Sequence, residues 1–205
     1  DFQIGASLVF PRILTPFRVR SVGWYGLPKT TISSSLQLFF QDQTYSNRYW
    51  LNTLNYSWHQ SENILHSYTP IVLEYREGRL NESFKQRMEN EGYRLYVETN
   101  DRQYFGLGSQ YTITYNGNRL NRFENFSFLR GMVDVSGNTL GIFSNLFNFS
   151  TDELGQRTVL GVPYLQYIKG EVDYRWYKHL GGNRQFVWRF NGGVAVPYGN
   201  NSELL

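Results

Sequence analysis

Alternation of apolar and polar side chains is clearest between Tyr164 and Val196, where it predicts two long β-strands. Successive side chains of a strand point to opposite faces, so alternate residues share a face. In the first arm, the apolar face carries Ile168, Gly170, Val172, Tyr174 and Trp176, and the charged face carries Tyr167, Lys169, Glu171, Asp173 and Arg175. In the second arm, Phe186, Trp188, Phe190, Val194 and Val196 oppose Gln185, Val187, Arg189, Asn191 and Ala195. Glycines 181 and 182 tolerate positive φ, so the arms are predicted to form an antiparallel hairpin.

The length of these arms favours one of two possible environments. Each arm spans roughly ten residues, whereas strands of globular proteins average about five or six. One apolar face and one charged face over that length is typical of a transmembrane β-strand, with lipid on one side and a wet lumen on the other. In a soluble sandwich, the apolar face would instead pack on a second sheet. Alternation alone does not choose between the two, whereas length, aromatic content and repetition favour the barrel.

The same alternation recurs along the chain and predicts about nine strands in all. They cover residues 2–10, 32–42, 48–58, 64–76, 104–116, 124–136, 139–149, 164–178 and 185–196. Residues 17–31 and 150–162 are predicted loops. Pro70 cannot donate to a ladder, so we expect a bulge at that point.

One segment, Arg79 to Gly92, breaks the period of two. Leu80, Phe84 and Met88 lie four residues apart among polar side chains, and Asn81 is a suitable N-cap. We therefore expect one short amphipathic helix in an otherwise all-β, antiparallel chain.

Composition excludes some functions and leaves the barrel open. Hydrophobic residues make up 40% of the 205 residues, slightly below the apolar share of an average domain, so hydropathy alone suggests a soluble protein. A membrane barrel has the same hydropathy, because half of each strand is polar. Aromatic residues reach 18%, which is high. There is no cysteine, so disulfides and thiol chemistry are excluded. The net charge of +3 is scattered and forms no basic run, so we expect no nucleic-acid partner.

Several phrases resemble the barrel of the BamA/TamA family of outer-membrane assembly proteins, part of the surface-antigen superfamily. They are Ser7-Leu-Val-Phe-Pro-Arg12, Tyr49-Trp-Leu-Asn52 with Tyr56-Ser-Trp58, Gly108-Ser-Gln-Tyr-Thr-Ile-Thr-Tyr115, Gly161-Val-Pro-Tyr164, Glu171-Val-Asp-Tyr-Arg175 and Val194-Ala-Val-Pro-Tyr-Gly199. Together they extend over most of the chain, and their order and spacing carry the resemblance.

The resemblance implies that residues 1–205 are part of one transmembrane β-barrel domain, incomplete at both ends. They would supply about nine strands of a barrel of about sixteen. It further implies the bacterial outer membrane, a non-enzymatic role in inserting other outer-membrane proteins, and no cofactor or metal. The partners would be outer-membrane lipid, client outer-membrane proteins and accessory assembly subunits. The last strand would run outward, so that His179–Arg184 lies on the periplasmic side, together with the predicted helix at Arg79–Gly92.

The family's best-known functional parts are absent from this sequence. The POTRA repeats, the Arg-Gly motif of the sixth extracellular loop and the strands of the lateral seam have no counterpart here. Our candidate site is therefore a set of charged lumen residues that would hold the inward-folded loop by charge-assisted hydrogen bonds. The set comprises Lys169, Glu171, Asp173, Arg175 and Arg189. A plain solvated barrel wall is the alternative interpretation of the same residues.

A second set of residues is predicted to contact lipid or form an aromatic girdle at the membrane boundary. It comprises Tyr111, Tyr115, Tyr174, Trp176, Phe186, Trp188 and Phe190.

Other candidate chemistry is weaker. The carboxylate pairs Asp152/Glu153 and Glu171/Asp173 suggest a glycosidase, but Lys169 and Arg175 bracket the second pair, which favours charge compensation. The three histidines have no repeated ligand spacing. Two other functions stay open: a passive porin or transporter barrel, and a soluble secreted β-sandwich that binds carbohydrate through its Trp and Tyr residues.

Overall fold

The structure is a computed structural model and describes residues 1–16, 24–118, 124–147, 149–152 and 155–204. Part of the predicted loop at 17–31, namely residues 17–23, lies outside the described residues, as does Glu153.

The described residues form ten β-strands, three α-helices and one 3-10 helix. The long strands are β1 (Phe2–Phe10), β2 (Tyr25–Gln41), β3 (Tyr45–Ser61), β4 (Ile64–Leu80), β5 (Gln103–Asn116), β6 (Phe126–Ser136), β9 (Tyr167–His179) and β10 (Gln185–Pro197). The short strands are β7 (Thr158–Val159) and β8 (Val162–Pro163). The helices are α1 (Glu82–Asn90), α2 (Arg94–Asn100), α3 (Asn138–Phe147) and the 3-10 helix Gly199–Leu204.

The eight long strands form one antiparallel sheet in the order β1-β2-β3-β4-β5-β6-β9-β10. Each strand therefore pairs with the long strand that follows it in the chain, which is an up-and-down arrangement. In the part of the chain that the structure describes, β1 and β10 each pair on one side only. The strands β7 and β8 form a separate two-stranded hairpin. The prediction of an antiparallel all-β fold is confirmed.

The sheet has two rims of different character. The turn rim is where β1, β3, β5 and β9 end and where β2, β4, β6 and β10 begin. It includes the turns at 62–63 and 180–184. At the last of these, Gly181 and Gly182 adopt positive φ, as predicted for the hairpin turn. The helix rim carries the turn at 42–44, all three α-helices, the β7–β8 hairpin and the 3-10 helix. All the helices that the structure describes thus lie at one rim.

Two predictions are corrected by helix α3, because Asn138–Phe147 is helical where a strand at 139–149 was predicted. Because one predicted strand is lost, the long strands number eight, and every later connection changes rim. The predicted helix at Arg79–Gly92 was expected on the same side as His179–Arg184. It lies at the helix rim, whereas the Leu180–Arg184 turn lies at the turn rim.

The Arg79–Gly92 segment itself is confirmed as helical, but it is followed by a second helix that was not predicted. Asn81 is the N-cap of α1, and its side chain accepts a hydrogen bond of 3.1 Å from the backbone N–H of Ser83. Lys85 of α1 binds Asp101, just after α2, at 2.6 Å, and this hydrogen bond raises the pKa of Lys85. Phe84 of α1 also meets Tyr96 of α2 edge to face, with ring centroids 6.3 Å apart, so one ion pair and one aromatic contact join the two helices.

Of two predictions that concern segments with proline, one is confirmed and one is wrong. The register of β4 shifts between Thr69 and Val72, so the bulge expected at Pro70 is confirmed. Residues 25–31 were expected to be loop but belong to β2. A register shift between Tyr25 and Lys29 accommodates Gly26 and Pro28, so the strand continues through them.

Buried apolar side chains are few, and most lie away from the faces of the sheet. Among the described residues, the buried hydrophobic ones are Leu80, Val97, Met132, Leu140 and Tyr164. Four of these five lie on the helix rim, in its helices or connections, or at the rim end of β4. Hydrophobic burial therefore stabilises the helix rim, whereas the sheet is held together mainly by its ladders.

Candidate functional site

One face of the eight-stranded sheet, here called the apolar face, is apolar from β1 to β10 and solvent-exposed. The cross-strand register aligns its residues; for example, Ile4 lies opposite Leu36, which lies opposite Trp50. Its exposed members include Phe2, Ile4, Leu8, Ile32, Phe40, Trp50, Tyr68, Ile71, Tyr111, Ile113, Tyr115, Leu129, Val133, Ile168, Val172, Trp176, Phe186, Trp188, Phe190, Val194 and Val196. No second sheet packs on this face within the described residues, because the only other sheet there is the short β7–β8 hairpin. An apolar surface of this extent is far larger than the exposed patches of ordinary soluble monomers.

The apolar face has a limited height, and charged side chains begin where it ends. On β9 it extends from Ile168 to Trp176, close to the ~9–11 residues with which a tilted strand crosses a bilayer. On the helix-rim side of Trp50, the same face carries Arg48, which lies 3.6 Å from Glu77. Glu77 also binds Arg79 at 2.5 Å and is 7% exposed. This ionic cluster marks the edge of the apolar band on β3 and β4.

All seven residues predicted to form the lipid-facing or girdle set lie on the apolar face, and they lie toward the turn rim. Tyr174 and Trp188 meet edge to face, with ring centroids 5.8 Å apart. The Tyr111 hydroxyl lies 2.6 Å from His66 Nδ1, and His66 stacks on Trp58 at 5.2 Å. Rings with one polar end packed in a row on an apolar surface are the arrangement typical of a membrane boundary.

The opposite face, here called the polar face, carries the predicted charged set. Asp173 is its centre: the Arg175 guanidinium donates to it at 3.2 and 2.6 Å. Arg189, on the neighbouring strand, donates to the same carboxylate at 3.0 Å through two nitrogens. Lys169 and Glu171 form a separate pair at 2.5 Å. The five residues thus share a face, as predicted, but form two groups and not one continuous network.

Positive charge exceeds negative charge around Asp173. Arg175 lies directly opposite Arg189 in the register, and Arg130 of β6 lies directly opposite Asp173. Arg175 also lies over the ring of Phe128, 5.0 Å from its centroid. Because Asp173 binds two guanidinium groups and Glu171 binds Lys169, both carboxylates of the glycosidase hypothesis are engaged by cations.

Replacing Asp173 by Asn should lower the stability of the folded protein, because Arg175 and Arg189 would then repel each other across the strands. The measurement is the denaturant midpoint of the protein in detergent micelles. The double variant D173N/R189Q should lose less than D173N alone, since it removes one of the two like charges.

The control for Asp173 is Glu171→Gln, on the same strand and face but with a single partner and 45% exposed. Its effect should be small, as for exposed ion pairs in general. Equal losses in D173N and E171Q would contradict the central role of Asp173.

A second polar cluster was missed from the sequence. Glu74 of β4 accepts a hydrogen bond from the Tyr49 hydroxyl at 3.2 Å, and Asp134 of β6 accepts one from Tyr167 at 3.2 Å. Alternation along β4 and β6 places both carboxylates on the polar face, so the two acidic residues of the cluster could have been predicted from the sequence. The tyrosine partners come from neighbouring strands, and only the register could identify them.

Glycine in β5 makes room for this cluster. A Cβ at Gly106 would lie 2.6 Å from Cγ of Glu74, so the Glu74 side chain crosses the strand only because residue 106 has no side chain. A glycine inside a strand often marks such a close approach of a neighbouring group.

Substituting Gly106 by Ala should destabilise the folded protein by about 1–3 kcal/mol, because the new methyl displaces Glu74 from the Tyr49 hydroxyl. The measurement is equilibrium unfolding in urea. Gly170→Ala is the matched control, since a Cβ at Gly170 has no neighbour within 4 Å. It should change stability by no more than about 0.5 kcal/mol. A G106A effect as small as that of G170A would show that Glu74 moves freely.

At the helix rim, two of the phrases quoted for the family resemblance meet in space. Gln166, two residues after the Gly161–Tyr164 phrase, accepts from the backbone N–H of Asn200 at 2.7 Å and donates to the carbonyl of Gly137 at 3.2 Å. The Asn200 side chain donates to the carbonyl of Tyr164 at 3.0 Å. The connection between β6 and β9 is thereby fastened to the end of β10.

Tyr164 is the centre of this rim assembly and is 1% exposed. Its hydroxyl lies 3.1 Å from Ser144 Oγ of α3, and Arg157 donates to the same Ser144 oxygen at 2.9 Å. Sequence reasoning identified Tyr164 only as the start of a strand, because its burial depends on α3, which was predicted as strand.

The remaining residues considered for metal binding or catalysis lie in separate parts of the structure. Within the described ranges, no group of three or more His, Asp or Glu side chains could hold a metal ion. His59 and His66 lie in β3 and β4, and His179 ends β9. Of the other carboxylate pair, Asp152 accepts from the backbone N–H of Gln156 at 2.7 Å, as in a turn.

Among the helices that the structure describes, none combines the length and the apolar content needed to cross a bilayer. Comparison of the chain with protein-family models, curated proteins and solved structures gave no match.

Proposed function

We propose that this chain is part of the wall of an outer-membrane β-barrel. The observation that carries the proposal is the apolar face: it is continuous over eight strands, is exposed, and has the height of a bilayer crossing on β9. A soluble sandwich would need a second layer to cover Phe186, Trp188 and Phe190, which are 48%, 48% and 53% exposed. The polar face carries ionic groups, as expected of a water-filled lumen.

We further propose that the protein assembles or inserts other outer-membrane proteins without enzymatic chemistry. This step rests on the resemblance to the BamA/TamA family. Gln166 and Asn200, which follow two of the phrases that carry it, hydrogen-bond to each other. In this proposal, the turn rim faces the periplasm and the helix rim faces outward, because the two longest connections, β4–β5 and β6–β9, lie at the helix rim and long loops face outward in such barrels. The Asp173 cluster on the polar face would offer guanidinium groups to an inward-folded loop.

Two experiments test the proposal in sequence. The first asks whether the protein requires detergent for extraction and migrates faster in gels before heating than after it. A water-soluble monomer without heat-dependent migration would end the proposal.

The second experiment compares the folding of an outer-membrane client barrel into phosphatidylcholine vesicles with and without the reconstituted protein. An assembly factor should raise the rate of client folding several-fold over empty vesicles. A passive porin is the second candidate, because the charged polar face could also line a pore. Ion conductance with no change in client folding would select the porin.

A further inference from the structure

We infer that α3 is an interfacial helix that inserts its exposed side into the lipid boundary at the helix rim. The inference rests on the proposed membrane barrel and adds a lipid-binding element outside the strands. It begins from the exposure of Ile142, Phe143 and Leu146, which are 69%, 44% and 69% exposed.

The two sides of α3 are sharply different. Leu140 and Ser144, one turn apart, are 7% and 2% exposed and face the rim assembly. Ile142 and Leu146, also one turn apart, lie on the other side of the helix. The helix buries Leu140 together with Ser144 but leaves Ile142 and Leu146 exposed, so a second apolar side is uncovered, which is unusual for a surface helix of a soluble protein.

The orientation of α3 is fixed by polar contacts on its buried side. Ser144 binds Tyr164 and Arg157, and Gln166 donates to the carbonyl of Gly137 at the start of the helix. A Cβ at Gly141 would lie 2.6 Å from Gln166 Nε2, so glycine permits this close approach. The exposed side is therefore held outward and is not free to turn inward.

The position of α3 indicates that lipid covers its exposed side. Its first residues, Asn138 and Thr139, line a groove of about 430 Å³ together with Tyr68, Ile71, Leu107 and Val135 of the apolar face. Thr139 lies on the same side of α3 as Leu146, two turns further on, so the exposed side of the helix begins at the surface that the barrel proposal covers with lipid. A helix lying at this level would bury its apolar side ~5–10 Å into the boundary between headgroups and acyl chains.

The distribution of charged residues also indicates that lipid covers the exposed side of α3. The sequence of α3, Asn138–Phe147, contains no charged residue, whereas α1 at the same rim carries Glu82, Lys85, Arg87 and Glu89. On β9 and β10, the apolar face is aliphatic toward the helix rim, at Ile168, Val194 and Val196, and aromatic toward the turn rim. The helix thereby supplies an anchor at the rim where these strands have no Trp or Tyr on the apolar face.

The test uses single cysteines, because the chain has none of its own. A bimane fluorophore is attached at Ile142→Cys, at Val194→Cys on the apolar face, or at Gln86→Cys on α1. Each labelled protein is reconstituted into phosphatidylcholine vesicles that contain lipids brominated either near the carbonyl or deep in the acyl chain. Aqueous iodide serves as the quencher for positions in water.

We expect the probe at 142 to lose emission to the shallow brominated lipid and to resist iodide. The probe at 86 should lose emission only to iodide, and the probe at 194 only to brominated lipid. Iodide quenching at 142 like that at 86 would overturn the inference. So would protection at 142 from both quenchers, because another protein segment would then cover the helix.

The probe at 194 distinguishes a failure of the inference about α3 from a failure of the barrel proposal. If brominated lipid quenches the probe at 194 but not the one at 142, the barrel stands and the role of α3 fails. If neither probe responds to lipid, the membrane barrel itself fails.

Discussion

Arginine in place of Val172 is expected to destabilise the folded protein by about 2–4 kcal/mol in lipid vesicles, because it places a charge near the middle of the apolar band that we propose faces lipid. Val172 is the midpoint of the apolar stretch on β9 from Ile168 to Trp176 and is 43% exposed. In water, a substitution at so exposed a position would change stability by no more than about 0.5 kcal/mol. The measurement is equilibrium unfolding of the vesicle-bound protein in guanidinium chloride.

Val187→Arg is the matched control for Val172→Arg, since it makes the same chemical change at a similar exposure of 48%. Val187 lies on the polar face of β10, opposite Tyr177. Its replacement should be tolerated because a water-filled lumen accepts charge. Equal effects of the two arginines would mean that both faces contact the same solvent, which contradicts the membrane barrel.

Alanine in place of Tyr164 is expected to detach α3 from the helix rim, with a loss of about 3–5 kcal/mol, as for other large buried aromatic side chains. The effect should be local, because Tyr164 contacts the rim assembly and not the middle of the sheet. Amide hydrogen exchange should therefore rise in α3 while the protection of β9 and β10 persists.

Tyr164→Phe tests the part played by the hydroxyl group. It removes only the contact with Ser144, so the expected loss is about 1 kcal/mol. Unchanged exchange of α3 in the alanine variant would show that the hydrogen bonds of Gln166 and Arg157 hold the helix without Tyr164.

The regular strands could be predicted because each has a strict period of two. The hairpin of β9 and β10, the bulge at Pro70 and the cap at Asn81 depend on chemistry within a few residues, and all three are confirmed. The prediction of a strand at 139–149 was wrong because a short apolar run is equally compatible with a helix and with a strand. Contacts of Ser144 and Gly141 with distant residues decide in favour of the helix, and these contacts have no local signal.

On the polar face, too, the local pattern predicted some features, whereas others depend on contacts between distant residues. Alternation correctly placed Asp173, Arg175 and Arg189 on one face, but it could not predict that one carboxylate binds both guanidinium groups. That arrangement depends on the register that sets Arg189 opposite Arg175. The link between Tyr167 and Asp134 was missed for the same reason, since it joins strands that are separated in sequence by α3 and the β7–β8 hairpin.

The two outermost strands of the sheet have opposite directions, because eight strands alternate between β1 and β10. Any further strands that complete an all-antiparallel ring must therefore come in an even number. A single added strand, or any odd number, would leave one parallel pair at the junction. If the sheet closes as proposed, the strands that join β10 to β1 would therefore be even in total, whether they precede β1, follow β10 or do both.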